Sequence, residues 1–385
     1  MNRRALLGGA LAGGVLAVTG GAPAYARGSA TTSSPALPQL NPAALAAALN
    51  PLGDEVSGAL VRVEGSAGRW QGRAGVAEIG TNKPVPWDAR FRIGSMTKAF
   101  TATAVLQLAA AGLVDVDAPL RRYLPDLLPE GYTGTVRHAM NHTHGLRGVP
   151  IPNKDREWFL AHRYDTFTPE SQVLWTEPPL FEPGTRQQYS NLGFTVAGLV
   201  IERVTGRPYA DTVRRGILRP LRLRGTSLPG TRLDVPGPHA HGYERIVEDG
   251  ETRYIDVTRS NPTLQWAAAE IISTTGDLDD FLVALFGGHL LPKRQLAAML
   301  TVPDVSTYAP GEPEDGADAV YSAGLTRIPI GDLVLWGKSG DRPGYNNGMG
   351  ATLDLARRLT FSVNTLAMGG EQPLTAQKII VAALT

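Results

Sequence analysis

Clusters of apolar positions divide the chain into strand-rich ends and a helix-rich middle. Ala59-Leu60-Val61-Arg62-Val63 and the stretch from about 71 to 79 are strand-like runs broken by glycine, the pattern of an antiparallel hairpin. Phe91-Arg92-Ile93 is a third short run. From 96 to 111 the chain has no proline or glycine and is mostly Ala, Leu, Val and Thr, until Gly112 ends it. A helix apolar almost all round belongs inside a domain, so Ser95 should sit at the first turn of a buried element.

Beyond Leu113 the pattern changes. From about 115 to 264 helical periodicity alternates with charged, proline-punctuated loops, including an amphipathic stretch from 193 to 205 that Gly206-Arg207-Pro208 stops. Asp249-Gly250, between Ile246-Val247 and Tyr254-Ile255, predicts a small hairpin. Helices resume at 275–286 and 292–300, and a Pro/Gly-rich acidic loop fills 302–319. Strand-like runs follow at 333–335, about 349–353 and 359–364, before an apolar closing helix. Strands at both ends around a helical middle predict an α+β fold: an antiparallel sheet flanked by helices, with an inserted, mostly helical part. No internal repeat is visible.

Composition narrows the functional classes. The 385 residues are 43% hydrophobic and 19% charged with a formal net charge of +1, so a large core is affordable and no polyanion-binding face is implied. Nucleic acid is not an expected partner. There is no cysteine, which removes thiol nucleophiles, thiolate metal sites and disulfides together. Arg3-Arg4, a Gly-rich apolar run and Ala24-Tyr25-Ala26 read as an export signal over 1–26, of twin-arginine type, followed by a flexible Ser/Thr/Pro/Ala linker over 27–42. The chain is therefore expected to be secreted, monomeric and without a stable membrane anchor. Its catalytic domain should run from 43 to 385, with the sheet part at about 43–114 and 265–385 and the helical part at about 115–264.

Three short motifs carry the chemistry. Ser95-Met96-Thr97-Lys98 places a hydroxyl and an amine one helical turn apart on one face, and Lys98 opens an apolar helix where an ammonium is hard to solvate. Tyr189-Ser190-Asn191 falls in a turn before a helix. Lys338-Ser339-Gly340 follows a strand-like run. A serine hydroxyl needs a base within hydrogen-bond reach, and Lys98 with Tyr189 can share its proton if neighbouring cations, Lys338 among them, lower their pKa values.

Taken together, in this order and spacing, the motifs resemble those of serine D-alanyl-D-alanine carboxypeptidases and class C β-lactamases, with their esterase and D-aminopeptidase relatives. The phrases His142-Thr143-His144-Gly145-Leu146, Asp115-Val116-Asp117, Ile271-Ile272-Ser273-Thr274 after Trp266, and Gly344-Tyr345 extend the resemblance from about 43 to the C-terminus. It implies a β-lactamase/transpeptidase-like fold and an acyl-enzyme on Ser95. Tyr189 would then protonate the leaving group and activate water, while the backbone N–H groups of Ser95 and Asp341 would hold the oxyanion. Asn191 would bind the substrate amide, with Ser339, Gly340, Trp266 and Arg327 completing the binding residues. Which of Lys98 and Tyr189 takes the first proton stays open.

Two positions depart from the carboxypeptidase branch: Lys338 stands where it usually has His, and Asp341 where it has a hydroxyl residue. A carboxylate at 341 would repel a substrate carboxylate, and Arg327 is placed to compensate. The expected reaction is D-alanyl-D-alanine carboxypeptidase-like, with β-lactamase, esterase and a non-catalytic penicillin-binding module as alternatives. The substrate is a small peptide, β-lactam or ester. No metal or cofactor is expected: the pairs His142/His144 and His239/His241 lack a nearby third ligand and are read as loop residues. No G-x-S-x-G occurs, which disfavours the α/β-hydrolase fold.

Overall fold

The computed structural model describes residues 37–384, except 153, 174–176, 309–315, 332 and 370. The export signal, most of the linker and the centre of the acidic loop lie outside the described residues.

Strands β1 (Val56–Glu64), β2 (Trp70–Gly75), β3 (Thr326–Ile330), β4 (Leu333–Arg342), β5 (Tyr345–Ala351) and β6 (Arg358–Thr365) form one antiparallel sheet in the order β2-β1-β6-β5-β4-β3. Of the helices α1 (Pro42–Leu49), α2 (Thr97–Ala110), α3 (Leu192–Thr205), α4 (Thr275–Phe286) and α5 (Leu374–Leu384), the first and the last two pack on it, while α2 and α3 pack on each other. The two ends of the chain meet where β1 pairs with β6, with Val61 opposite Phe361 and Ala59 opposite Val363.

Alternation along these strands decides which helices they cover. Ala59, Val61, Val63, Phe361 and Val363 bury one face against Leu45 and Leu49 of α1 and Ile379 and Ala383 of α5. On the opposite face α4 lies across β6, where Thr360 Oγ1 donates to Thr275 O at 3.0 Å and Arg358 grips Asp279 through two nitrogens at 2.7 and 3.0 Å. The end of the linker joins this scaffold: Arg357 Nη2 donates to Pro38 O at 2.6 Å, and Asn41 caps α1.

The second core centres on α2. Residues 97 to 106 are all buried, and Phe100 stacks on Phe281 of α4 with ring centroids 3.9 Å apart. As its composition predicts, this helix is enclosed on every side near its start. The middle of the chain is less helical than expected: besides α3 it contributes short helices at Val136–Met140 and Arg156–His162, and a longer one that begins at Tyr209–Val213 and continues through a π-helical stretch, Arg214–Leu218, to Leu221, with loops between them. The predicted hairpin is present as Tyr243–Glu248 and Glu251–Asp256, with Asp249 and Gly250 at φ of 51° and 81° in its turn.

Register places the cleft. β3 pairs with β4 only from Leu333 to Gly337, so the following residues of β4 present an open edge. The tight turn Gly94–Met96 that begins α2 packs onto that edge.

Candidate active site

Ser95 occupies the turn of 3-10 helix that precedes α2, and Lys98 lies one turn further on. Lys98 is fully buried, with Nζ 3.0 Å from Ser95 Oγ, 2.7 Å from Asn191 Oδ1 and 3.1 Å from Ala268 O. No carboxylate pairs with it among the described residues. Burial, reinforced by the charge of Lys338, holds the amine well below the usual lysine range. Asn191 bridges onward, its Nδ2 donating to Gln265 Oε1 at 2.7 Å. The amide expected to meet substrate thus also orients the lysine.

Tyr189 follows a two-residue strand, Arg186–Gln187, and its hydroxyl hydrogen-bonds with Ser95. Its ring stands between two amines, with Lys98 Nζ 5.1 Å and Lys338 Nζ 4.7 Å from the centroid. The sequence left open whether such cations lower the phenol pKa. Burial pushes the Tyr189 hydroxyl up, and the hydrogen bond to Ser95 offsets only part of that shift. Enclosure therefore favours the neutral form of both partners, a free amine at Lys98 and an intact phenol at Tyr189.

Behind Tyr189, His142 is buried in a left-handed conformation at φ 65°, its ring 4.5 Å from the tyrosine ring and its Nδ1 accepting from Ser190 N at 3.1 Å. His144 Nδ1 likewise accepts from Leu146 N at 2.9 Å. At the other pair, His241 Nδ1 lies 2.6 Å from Asp256 Oδ2. These imidazoles brace loops.

β4 supplies the facing wall. Lys338 is buried and its pKa is lowered to about 8 by desolvation, while Ser339 and Asp341 alternate onto the exposed side. Between them Gly340 permits a close approach of two backbones. A Cβ there would fall 1.8 Å from Ile93 O and 3.1 Å from Ser95 N. Gly94, at φ +57°, faces the same constraint from the other side, since its Cβ would lie 2.6 Å from Asp341 N. Only glycine at both positions lets the Ser95 and Asp341 amides share this space.

Asp341 stands at the rim, open to solvent. The surrounding wall pushes its carboxyl up to about 6, a shift that solvent access moderates, and its cross-strand neighbour Asn346 steadies the charged form by a side-chain hydrogen bond. Among the described residues it forms no close ion pair; Arg327 does not act on it, and the charges of Arg342 and Lys154 offset its own only in part. Arg327 is exposed on the outer strand β3, opposite Trp336. Trp266 turns toward the core: its ring meets Tyr209 edge-on at 5.3 Å and crowds Gly198 of α3. A Trp beside Leu264 and Ala267 can line the cleft or join the core, and these contacts are those of a partly buried core residue.

The structure thus brings Ser95, Lys98, Tyr189, Asn191 and Lys338 into one cluster rimmed by Ser339 and Asp341. Sequence reasoning missed Gln265, Gln187 and Tyr321. None belongs to a short motif, and the only signal was their polarity within largely apolar segments.

Residues 10–384 match the family model described as Beta-lactamase. Among solved structures the chain is similar to the D-stereospecific amidohydrolase from Streptomyces sp., at 35% identity and a TM-score of 0.74 over 89% of this chain and 98% of that one. It is similar at 27% identity and a TM-score of 0.74 to the D-amino acid amidase from Ochrobactrum anthropi SV3 complexed with L-phenylalanine, over 89% and 97% of the two chains. It is also 25% identical to penicillin-binding protein 4* of Bacillus subtilis (strain 168) over 332 residues, 80% of this chain and 68% of that protein. Several other curated relatives are spanned over about half their length.

Proposed function

We propose that this chain, which belongs to the beta-lactamase family of serine hydrolases, cleaves amides of D-configured amino acids or short peptides through an acyl-enzyme on Ser95. The observation that carries the choice of substrate is Asp341: a carboxylate at the rim that forms no close ion pair among the described residues, beside the amides that would hold the oxyanion. Such a charge opposes a substrate carboxylate at that rim and accepts a neutral or cationic group. The likeness to two enzymes named for D-stereospecific amide hydrolysis supports the same reading.

In the proposed mechanism Lys98, as the free amine, takes the proton of Ser95 Oγ as the oxygen bonds to the amide carbon. The carbonyl oxygen gains the negative charge and is held by the N–H groups of Ser95 and Asp341. The C–N bond then breaks as the departing nitrogen receives a proton from the Tyr189 hydroxyl, which is restored from the lysine ammonium. Water next adds to the ester, gives its proton to Lys98, and releases the acid as Ser95 regains its hydrogen. Lys338 keeps the cleft positive while charge develops. No metal or cofactor enters this scheme, and the export signal read at 1–26 would set the reaction outside the cytoplasm.

Carboxypeptidase action on D-alanyl-D-alanine termini is the second reading, favoured by the similarity to penicillin-binding protein 4*. The deciding experiment compares kcat/KM for a D-amino-acid amide, its L-enantiomer, a D-Ala-D-Ala peptide, nitrocefin and a p-nitrophenyl ester, using wild type and Asp341→Thr. The proposal expects the D-amide to lead in the wild type. Asp341→Thr should shift the ratio toward the free-carboxylate peptide by about 5- to 30-fold, the equivalent of roughly one to two kcal/mol of repulsion removed. A wild-type preference for the D-Ala-D-Ala peptide, or a ratio unmoved by the substitution, would overturn it.

A further inference from the structure

Lys338 presents an unusual problem: it is only 5% exposed, yet among the described residues its ammonium has no hydrogen-bond acceptor and no carboxylate partner. What surrounds it is aromatic. Nζ lies 4.7 Å from the ring centroid of Tyr189 and 5.4 Å from that of Tyr321. The two rings are 5.1 Å apart and inclined at 51°, an open slot whose faces carry the negative part of the ring quadrupole. We propose that Tyr321 is the positioning residue for Lys338, completing with Tyr189 an aromatic slot that fixes the ammonium in the cleft, and that Gln187 sets the slot's width.

Gln187 is buried, and each end of its amide is used twice. Its Oε1 accepts from Val320 N at 3.0 Å and Tyr321 N at 3.1 Å, while Nε2 donates to Tyr321 O at 2.9 Å and Asn141 O at 2.8 Å. The backbone of Tyr321 is therefore gripped on both sides by a side chain only two residues before Tyr189. His142 closes the back, 4.5 Å from one ring and 5.1 Å from the other. One glutamine thus fixes the spacing between the two faces that meet the lysine. A flexible four-carbon stem alone would leave the ammonium free to sweep the cleft.

The inference rests on the role given to Lys338 above, and the test separates the two. Lys338→Met should lower kcat/KM by at least ~10-fold. Tyr321→Phe, which keeps the ring, is the reference for the series. Phenylalanines with increasing ring fluorination at 321, which keep the shape but weaken the quadrupole, should lower kcat stepwise. In the Lys338→Met background the same fluorinated series should be flat. If Lys338→Met costs nothing, the role of Lys338 fails and the slot with it. If Lys338→Met is impaired but activity is level across the series, or declines equally in both backgrounds, Tyr321 merely fills space and the inference alone is overturned.

Discussion

Lys98 Nζ lies 3.0 Å from Ser95 Oγ, and the charge that acts on that buried amine is the like charge of Lys338. Most buried lysines find a carboxylate. Here desolvation and repulsion act in the same direction, so the fold pushes the proton off Lys98 and keeps the amine next to the hydroxyl it must activate. The cost of this arrangement is carried by the surrounding core, whose helix α2 is buried over ten consecutive residues.

The first consequence is a bell-shaped pH profile. Activity should rise with pH as Lys98 loses its proton, and fall again as Lys338 loses the charge the cleft needs. Lys338 has a pKa lowered to about 8, so it is charged below that pH and neutral above it, which puts the alkaline limb near 8. Lys338→Arg, which stays charged across the range, should retain partial activity and lose that limb. A limb that persists unchanged in Lys338→Arg would assign it to another group.

The amine and the phenol form one relay. Lys98→Met and Tyr189→Phe should each lower kcat/KM by at least ~10²-fold, with the double variant losing far less than the product of the two. Thermal unfolding adds an independent check: Lys98→Met should keep or raise Tm, because it removes a buried amine that folding must desolvate. Multiplicative kinetic losses would mean that the two residues act separately.

The paired glycines make a steric prediction. Gly340→Ala drives a methyl to 1.8 Å from Ile93 O and pries β4 from the Ser95 turn, so kcat should fall by at least ~10²-fold. Gly350→Ala on the neighbouring strand meets its first atom, Leu335 Cδ2, at 3.4 Å and should stay within ~2-fold. Comparable kinetics for the two variants would show that close approach of these backbones is not what the site requires.

Much of this site was legible because its chemistry is local in sequence. Ser95 and Lys98 share one helical turn, and the apolar run after them announces a buried helix. The rest depends on contacts that no short pattern encodes. The Gln187 side chain hydrogen-bonds the backbone of Tyr321 across 134 residues, and the Asn191 and Gln265 side chains meet across 74. Strand β3 was not anticipated, since Thr326–Ile330 contains a proline and sits at the sheet edge where its pairing is short. The direction of the Tyr189 pKa was open for a related reason: sequence shows which cations are near, but not how completely water is excluded.

Hydrolysis through an acyl-enzyme requires a covalent adduct at Ser95. Wild-type protein mixed with a slowly deacylated β-lactam or a fluorophosphonate, quenched and weighed by intact mass spectrometry, should gain the mass of a single acyl or phosphonyl group. Peptide mapping should place it on Ser95, and Ser95→Ala, folded to the same Tm, should gain nothing and hydrolyse no D-amide. An adduct on a different serine, or amide turnover that survives in Ser95→Ala, would contradict the account.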